Sequence, residues 1–133
     1  MSIRKNYNVV VSEYATRHFM KNFIKKYKSW DKTFEFIHMM LSDIEMYLKS
    51  TKAEKIHICD TGYIAKCEFK IVGSNESAKT SGNRIIVFVD EERNQCEILF
   101  IYAKTHYGGN NETTWWEQEI KNNHKEIYEL FKF

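Results

Sequence analysis

Residues 84–89, Arg84-Ile85-Ile86-Val87-Phe88-Val89, decide the fold of this chain. Every residue after Arg84 in this stretch is β-branched or aromatic, which favours a strand over a helix. Because strand side chains point alternately to opposite faces, a run that is apolar throughout presents an apolar surface on both. The stretch therefore predicts an interior strand of a sheet that is covered on each face.

Short apolar runs at 55–59, 63–72 and 96–103 predict three further strands around this one. Turn segments rich in Gly, Asn, Asp and Ser separate the runs. Connections of this length cannot hold a crossover helix, so sequential strands should pair antiparallel. We therefore expect an antiparallel β-meander.

The segment before the meander predicts a short buried strand followed by helices. The strand is the apolar run at 7–11, and Ser12 can cap an amphipathic helix that continues to Tyr27. Apolar residues then recur every three or four positions from Ser29 to about Ser50, which predicts a second helix. These two helices should form a hairpin.

The segment after the meander predicts one closing helix. Residues Thr114 to Glu117 have the form of a capping box. One face of this helix carries the apolar residues Trp116, Ile120, Ile127 and Phe131. The order of elements predicts an α+β fold: a short N-terminal strand, a two-helix hairpin, an antiparallel β-meander and a C-terminal helix, in a single domain over 1–133.

The composition fits one globular domain. The chain has 133 residues, of which 43% are hydrophobic, 15% aromatic and 29% charged, with no proline. No apolar run is long enough to span a bilayer, and no secretory signal is evident, so we expect a cytoplasmic protein with no membrane partner. Walker, GxSxG and dinucleotide-binding motifs do not occur.

The net charge and the cysteine spacing bear on nucleic-acid binding, disulfides and zinc sites. A total of 20 Lys and Arg against 18 Asp and Glu leaves a formal charge of +2, which does not by itself indicate a nucleic-acid-binding protein. The excess of positive charge lies before residue 56. The three cysteines lack CxxC spacing, so we expect free thiols, no disulfide and no zinc.

Two lysines share one face of the predicted strand 63–72. Alternation places Lys66 and Lys70 with Glu68 opposite the apolar residues of that strand. Such charges either bind an anionic ligand or keep an exposed face soluble.

The segment 78–84, Ala78-Lys79-Thr80-Ser81-Gly82-Asn83-Arg84, is a predicted loop of small residues between two cations. Exposed backbone amides together with Lys79 and Arg84 can hold a phosphate. A polar hairpin loop with no ligand is the alternative.

The last predicted strand ends in Tyr102-Ala103-Lys104-Thr105-His106-Tyr107. Cations neutralise phosphate, aromatic rings stack on bases, and lysine, histidine or tyrosine can transfer protons. If the strands are neighbours, these residues come near Lys70 and Arg84. The combination suits a nucleic-acid site, and the spacing permits such a cluster without requiring it.

Other candidate residues have a structural interpretation. His57, Cys59 and Cys67 could approach one another as metal ligands, but core thiols on a hairpin explain them better. Trp115 and Trp116 could form a stacking platform, although one of them should be buried against the sheet.

The segment 78–86 followed by Ile101-Tyr102-Ala103-Lys104 resembles the Gly-Lys-Ser-Gly-Gly-x-Arg strand and the later Tyr-x-Lys of RelE/HigB-like toxins from type II toxin–antitoxin pairs. Glu68-Phe69-Lys70 stands where that family often has Glu-x-Arg or Lys-x-Arg. The predicted order of elements is also similar to that of this family.

This resemblance implies a ribosome-dependent mRNA endonuclease that a cognate antitoxin protein holds inactive. The RNA 2′-hydroxyl would attack the adjacent phosphorus without a metal or other cofactor. The site must then help to deprotonate that hydroxyl, stabilise the added negative charge and protonate the leaving 5′-oxygen.

The resemblance also implies roles for individual residues. Lys70 and Arg84 would bind and stabilise the phosphate, while Lys66 and Lys79 would contact the RNA. Lys104 would lie beside the scissile group, with His106 or Tyr107 as the candidate for proton transfer. A non-catalytic interaction module or a gyrase-directed toxin on the same fold is the alternative function.

Overall fold

A computed structural model of the chain describes residues 6–103 and 111–133, except the side chains of Lys79 and Thr80. The described residues form one five-stranded sheet with helices on both faces, which confirms the predicted α+β class. The strands are β1 (Asn8–Val11), β2 (Ala53–Cys59), β3 (Gly62–Glu68), β4 (Arg84–Asp90) and β5 (Gln95–Tyr102).

The sheet has the order β1-β5-β4-β3-β2. Strands β2 to β5 are antiparallel neighbours, as the meander requires, and β4 lies in the interior between β3 and β5. Strand β1 pairs parallel with β5 at one edge, so the sheet is mixed. Because an edge strand is covered less, β1 is half-buried and not the buried strand that its valines predicted.

The apolar run of β4 faces two separate cores, as predicted. Ile85, Val87 and Val89 pack in a first core with the helical hairpin. Ile86 and Phe88 pack in a second core with the C-terminal helices. All five are buried, which explains why the run has no polar alternation.

The N-terminal hairpin is interrupted where the sequence predicted continuous helices. Its first arm consists of α1 (Glu13–Ala15), a π-helical segment (Thr16–Met20) and α2 (Lys21–Lys26). Its second arm consists of α3 (Trp30–Ser42) and α4 (Ile44–Tyr47), with a break at Asp43 between them. The break at Asp43 follows Ser42, whose carbonyl accepts the amide of Tyr7 beside β1 instead of continuing an intrahelical ladder.

The chain closes with α6 (Glu112–Asn123) and α7 (Lys125–Phe131), which His124 separates. The predicted capping box at Thr114 is wrong, because Asn111 is the cap and its side chain accepts the Thr114 amide at 3.0 Å. Trp116 and Ile120 are fully buried against the sheet. None of the helices in the described segments has the length and apolar character that a bilayer span requires.

Candidate functional site

Strand register brings a polar cluster together at one end of the sheet. Glu68, Arg84 and Tyr102 lie directly opposite one another on β3, β4 and β5. Alternation from Ile64 and Ile86, which belong to the second core, places Lys66, Glu68 and Arg84 on the face that α6 covers. We call Glu54, Lys66, Glu68, Arg84, Tyr102 and Glu112 the sheet-end cluster.

Arg84 is the first residue of β4, and its side chain is mostly buried and bonded to neighbouring residues. Its Nη2 lies 3.6 Å from Glu68 Oε1, and the side chains of Arg84 and Glu68 are 13% and 15% exposed. Its Nη1 donates to the carbonyls of Asn83 at 2.9 Å and Ala78 at 3.3 Å. The guanidinium thus ties the segment before β4 to the sheet, which gives Arg84 a structural role that the sequence did not predict.

Lys66 lies between two carboxylates. Its Nζ is 3.7 Å from Glu54 Oε1 on the neighbouring strand and 3.7 Å from Glu112 Oε1 in the first turn of α6. The Tyr102 hydroxyl donates to the other oxygen of Glu112 at 3.1 Å. Glu112 therefore links β3, β5 and α6 at this end of the sheet, where the positive end of the helix dipole also favours a carboxylate.

Lys70 lies beyond the end of β3, the strand that carries Lys66. Strand β3 ends at Glu68, after which one more bond joins the Phe69 amide to the Asn83 carbonyl at 3.3 Å. Phe69 and Ile71 remain buried in the first core, and Lys70 between them is exposed to solvent. The predicted strand 63–72 was too long, because apolar alternation continues past the last paired residue.

The predicted loop 78–84 contains a short helix, α5 (Ala78–Ser81). The Ser81 amide donates to Ser77, and the Asn83 amide donates to Ser81 Oγ at 3.1 Å. Gly82 then adopts a φ of 77°, which turns the chain into β4. Two of the amides predicted to hold a phosphate therefore already have partners.

Three predicted site residues, Lys104, His106 and Tyr107, lie outside the described residues, as does the side chain of Lys79. Of the predicted cations, the structure brings Lys66 and Arg84 onto one face of the sheet. The carboxylates of Glu54 and Glu112 were missed. Alternation placed Glu68 on the face of Lys66, but its pairing with Arg84 depends on the register of β3 with β4, which the sequence did not predict.

The predicted histidine and cysteine candidates have structural roles. His57 Nε2 lies 2.9 Å from Glu117 Oε2, and its ring stacks on Phe133 at 4.3 Å between centroids. Cys67 is buried in the first core, and desolvation, followed by the charge of Glu68, raises its pKa to about 12. In residues 6–103 and 111–133, no three His, Cys, Asp or Glu side chains are grouped as metal ligands would be.

Comparison with known proteins yields one structural match that bears on the fold. Neither family models nor curated proteins match this chain. It is similar to a chain in the crystal structure of the archaeal RelE-RelB complex from Pyrococcus horikoshii OT3, with a TM-score of 0.54 and 12% sequence identity. The match covers 76% of this chain and 98% of that one. At this identity the likeness concerns the fold, and the fold of this chain is RelE-like.

Proposed function

We propose that this chain is the toxin of a toxin–antitoxin pair and that it cleaves mRNA on the ribosome. The observation that carries the proposal is the likeness of its fold to almost the whole of a chain from a RelE-RelB complex. The motif resemblance in segments 78–86 and 101–104 supports the same function independently of the fold.

The sheet-end cluster supplies part of the chemistry that such cleavage needs. The planar guanidinium of Arg84 can exchange the Glu68 carboxylate for a phosphate. Lys66 and Lys70 add positive charge for the RNA backbone, and Lys79 and Lys104 extend this set in the proposal. Deprotonation of the 2′-hydroxyl and protonation of the leaving oxygen fall to His106 or Tyr107.

The ion pairs of the cluster favour a second candidate function. Within the described part of the chain, both cations of the cluster face carboxylates. Lys66 lies near Glu54 and Glu112, and Arg84 lies near Glu68. A phosphate must displace these carboxylates before it can bind. A non-catalytic interaction module, or a toxin directed at DNA gyrase, would not need this exchange.

A translation-coupled cleavage assay tests the proposal. The purified chain is added to translating ribosomes, and cut sites in the mRNA are mapped by primer extension. Arg84→Lys keeps the charge beside Glu68 but loses the planar fork, so we expect cleavage to fall on the order of 10- to 100-fold. Lys26→Ala, on the exposed surface of α2, is the matched control and should cleave at nearly the wild-type rate.

The outcomes separate the two candidates. The toxin assignment is supported if the wild type cleaves mRNA and if co-expression with the protein of a neighbouring reading frame abolishes this cleavage. Wild-type-like cleavage by Arg84→Lys removes the proposed role of Arg84. If the mRNA stays uncut and translation continues at high concentrations of the chain, the nuclease proposal is overturned. Inhibition of gyrase supercoiling would then identify the gyrase-directed toxin.

A further inference from the structure

A polar groove separate from the sheet-end cluster lies beside the junction of α6 and α7. Two adjoining cavities of about 400 Å³ and 410 Å³ share the residues Glu97, Asn123 and His124. Tyr14, Arg17 and His18 line the first cavity. Glu97 lies near the start of β5, whereas Tyr102 of the cluster ends the same strand, roughly 16 Å away at the usual rise of a β-strand.

Two residues that line the groove, Ser12 and His124, are bonded to Leu99 of β5. A register shift leaves this residue without a partner in the pairing of β5 with β4. Its carbonyl accepts a hydrogen bond from Ser12 Oγ at 3.0 Å and another from His124 Nε2 at 3.1 Å. These bonds tie both the start of α1 and the α6–α7 junction to β5, so the groove is preformed.

Glu97 gives the groove a carboxylate that forms no ion pair among the described residues, although Lys125 also lines the second cavity. The Glu97 side chain is half-buried, and among the described residues it has neither a hydrogen bond nor an ion pair. Burial, and after it the charge of Glu126, raises its pKa above the ordinary value. A bound cation would relieve both effects. Arg17 on the rim does not do so, because it pairs with Glu13.

Aromatic rings form one wall of the groove. The Tyr14 ring lies 4.7 Å from the His18 ring and 5.3 Å from the His124 ring, between centroids. The Tyr14 hydroxyl donates to Glu119, which fixes the orientation of the ring. A wall of rings beside free carboxylates is the combination that a guanidinium group fits, because this group stacks on rings while it donates to carboxylates.

We propose that this groove binds an arginine side chain from an extended segment of a partner protein. The carboxylate of Glu97 receives the guanidinium, with Glu126 nearby and the rings of Tyr14 and His18 against its plane. Lysine fits less well, because an ammonium is more strongly hydrated and does not stack. Two adjoining cavities, each as large as one ligand site, provide room for the backbone on either side of the arginine.

Binding of short peptides, followed by NMR, tests this proposal without reference to any activity. The isotope-labelled full chain is titrated with acetyl-Gly-Arg-Gly-amide, with its Lys counterpart and with agmatine, which carries a guanidinium but no peptide backbone. We expect shifts confined to residues 12–18, 95–99 and 122–127, and a dissociation constant at least about fivefold lower for the Arg peptide than for either other ligand.

Glu97→Gln should weaken binding of the Arg peptide on the order of tenfold, since it removes the charge while keeping the shape. Glu129→Gln is the matched control, because Glu129 lies on α7 with its side chain exposed and paired with Lys132. Urea unfolding of both variants verifies their folding. Equal binding of the Arg and Lys peptides, or no effect of Glu97→Gln in a folded protein, overturns the proposal. Agmatine binding as tight as that of the peptide overturns the assignment to a protein segment.

Discussion

Two buried tyrosines in the first core differ in whether their hydroxyl is hydrogen-bonded to another described residue, and this difference predicts different responses to the same substitution. The Tyr7 hydroxyl donates to Glu45 Oε1 at 2.8 Å. The Tyr63 hydroxyl is buried with no hydrogen-bond partner among the described residues. A buried polar group that lacks a partner costs free energy, whereas a bonded one contributes about 1 kcal/mol.

Tyr63→Phe should therefore leave the free energy of unfolding unchanged or raise it by up to about 1 kcal/mol, while Tyr7→Phe should lower it by about 1 kcal/mol. Both tyrosines are almost fully buried in the same core, so each variant serves as the control for the other. Urea unfolding of the two variants and the wild type measures the difference. A loss of stability in Tyr63→Phe equal to that in Tyr7→Phe would contradict the assignment.

His124 should make stability depend on pH. Burial lowers its pKa below 6.5, against the opposing effects of the bond to Leu99 and the charge of Glu119. The unfolded chain then binds a proton more readily than the folded one, so this contribution to stability is complete above pH 6.5 and is lost as the pH falls below it.

The loss of unfolding free energy between about pH 7.5 and pH 5 should be smaller in His124→Gln than in the wild type. His38→Gln provides the control, because His38 is an exposed residue of α3. Chemical unfolding at the two pH values measures this loss. A pH dependence in His124→Gln as steep as that of the wild type would refute the role of His124.

At the scale of elements, strand β4 has an ion pair at each end, but the two ends differ in burial. Arg84 pairs with Glu68 in a mostly buried setting and also holds the segment of α5. Arg93 pairs with Asp90 at the other end, with 80% of its own side chain exposed. Removal of one partner from a buried pair leaves a carboxylate without compensation, whereas exposed pairs contribute little.

Arg84→Ala should accordingly lower the free energy of unfolding by about 3 kcal/mol, and Arg93→Ala by less than about 1 kcal/mol. Thermal and urea unfolding of both variants measure the two losses. Equal losses would show that burial of the Arg84 pair has no energetic effect. The expected loss is also the reason why Arg84→Lys, and not Arg84→Ala, is the variant suited to the cleavage assay.

The elements that the sequence predicted well are those whose pattern reports burial directly. The run in β4 predicted an interior strand with cover on both faces, and one of Trp115 and Trp116 was expected to be buried, which is Trp116. Helix breaks were missed at Asp43 and His124, because apolar periodicity continues across each break and reports which side is buried, not whether the backbone ladder is continuous. The Asn111 cap lay just outside the motif that predicted a start at Thr114.

For the whole molecule, the two faces of the sheet organise the fold. The N-terminal hairpin covers the first core, and α6 and α7 cover the second. Local patterns predicted this layering, but not the parallel pairing of β1 with β5, since contacts between distant segments leave no trace in periodicity. The candidate site was predicted in part for the same reason: cations stand out in a sequence, whereas the carboxylates that face them come from other strands and from α6.

The parallel edge strand has a consequence for the order in which the chain becomes structured during synthesis. Strand β1 pairs with Gln95 to Ile98, and the adjoining bond from Ser12 to Leu99 spans 87 residues. At ordinary elongation rates the first strand waits roughly 4 to 17 s before its partner has been made. During that interval the helical hairpin lacks the cover that β5 gives its apolar face, and in a nascent chain that stalls before Gln95 the strand β4 is an unpaired sheet edge. Ribosome stalling in this window would thus yield fragments prone to aggregate, whereas completion of β5 pairs the open edge of β4 and supplies the strand with which β1 pairs.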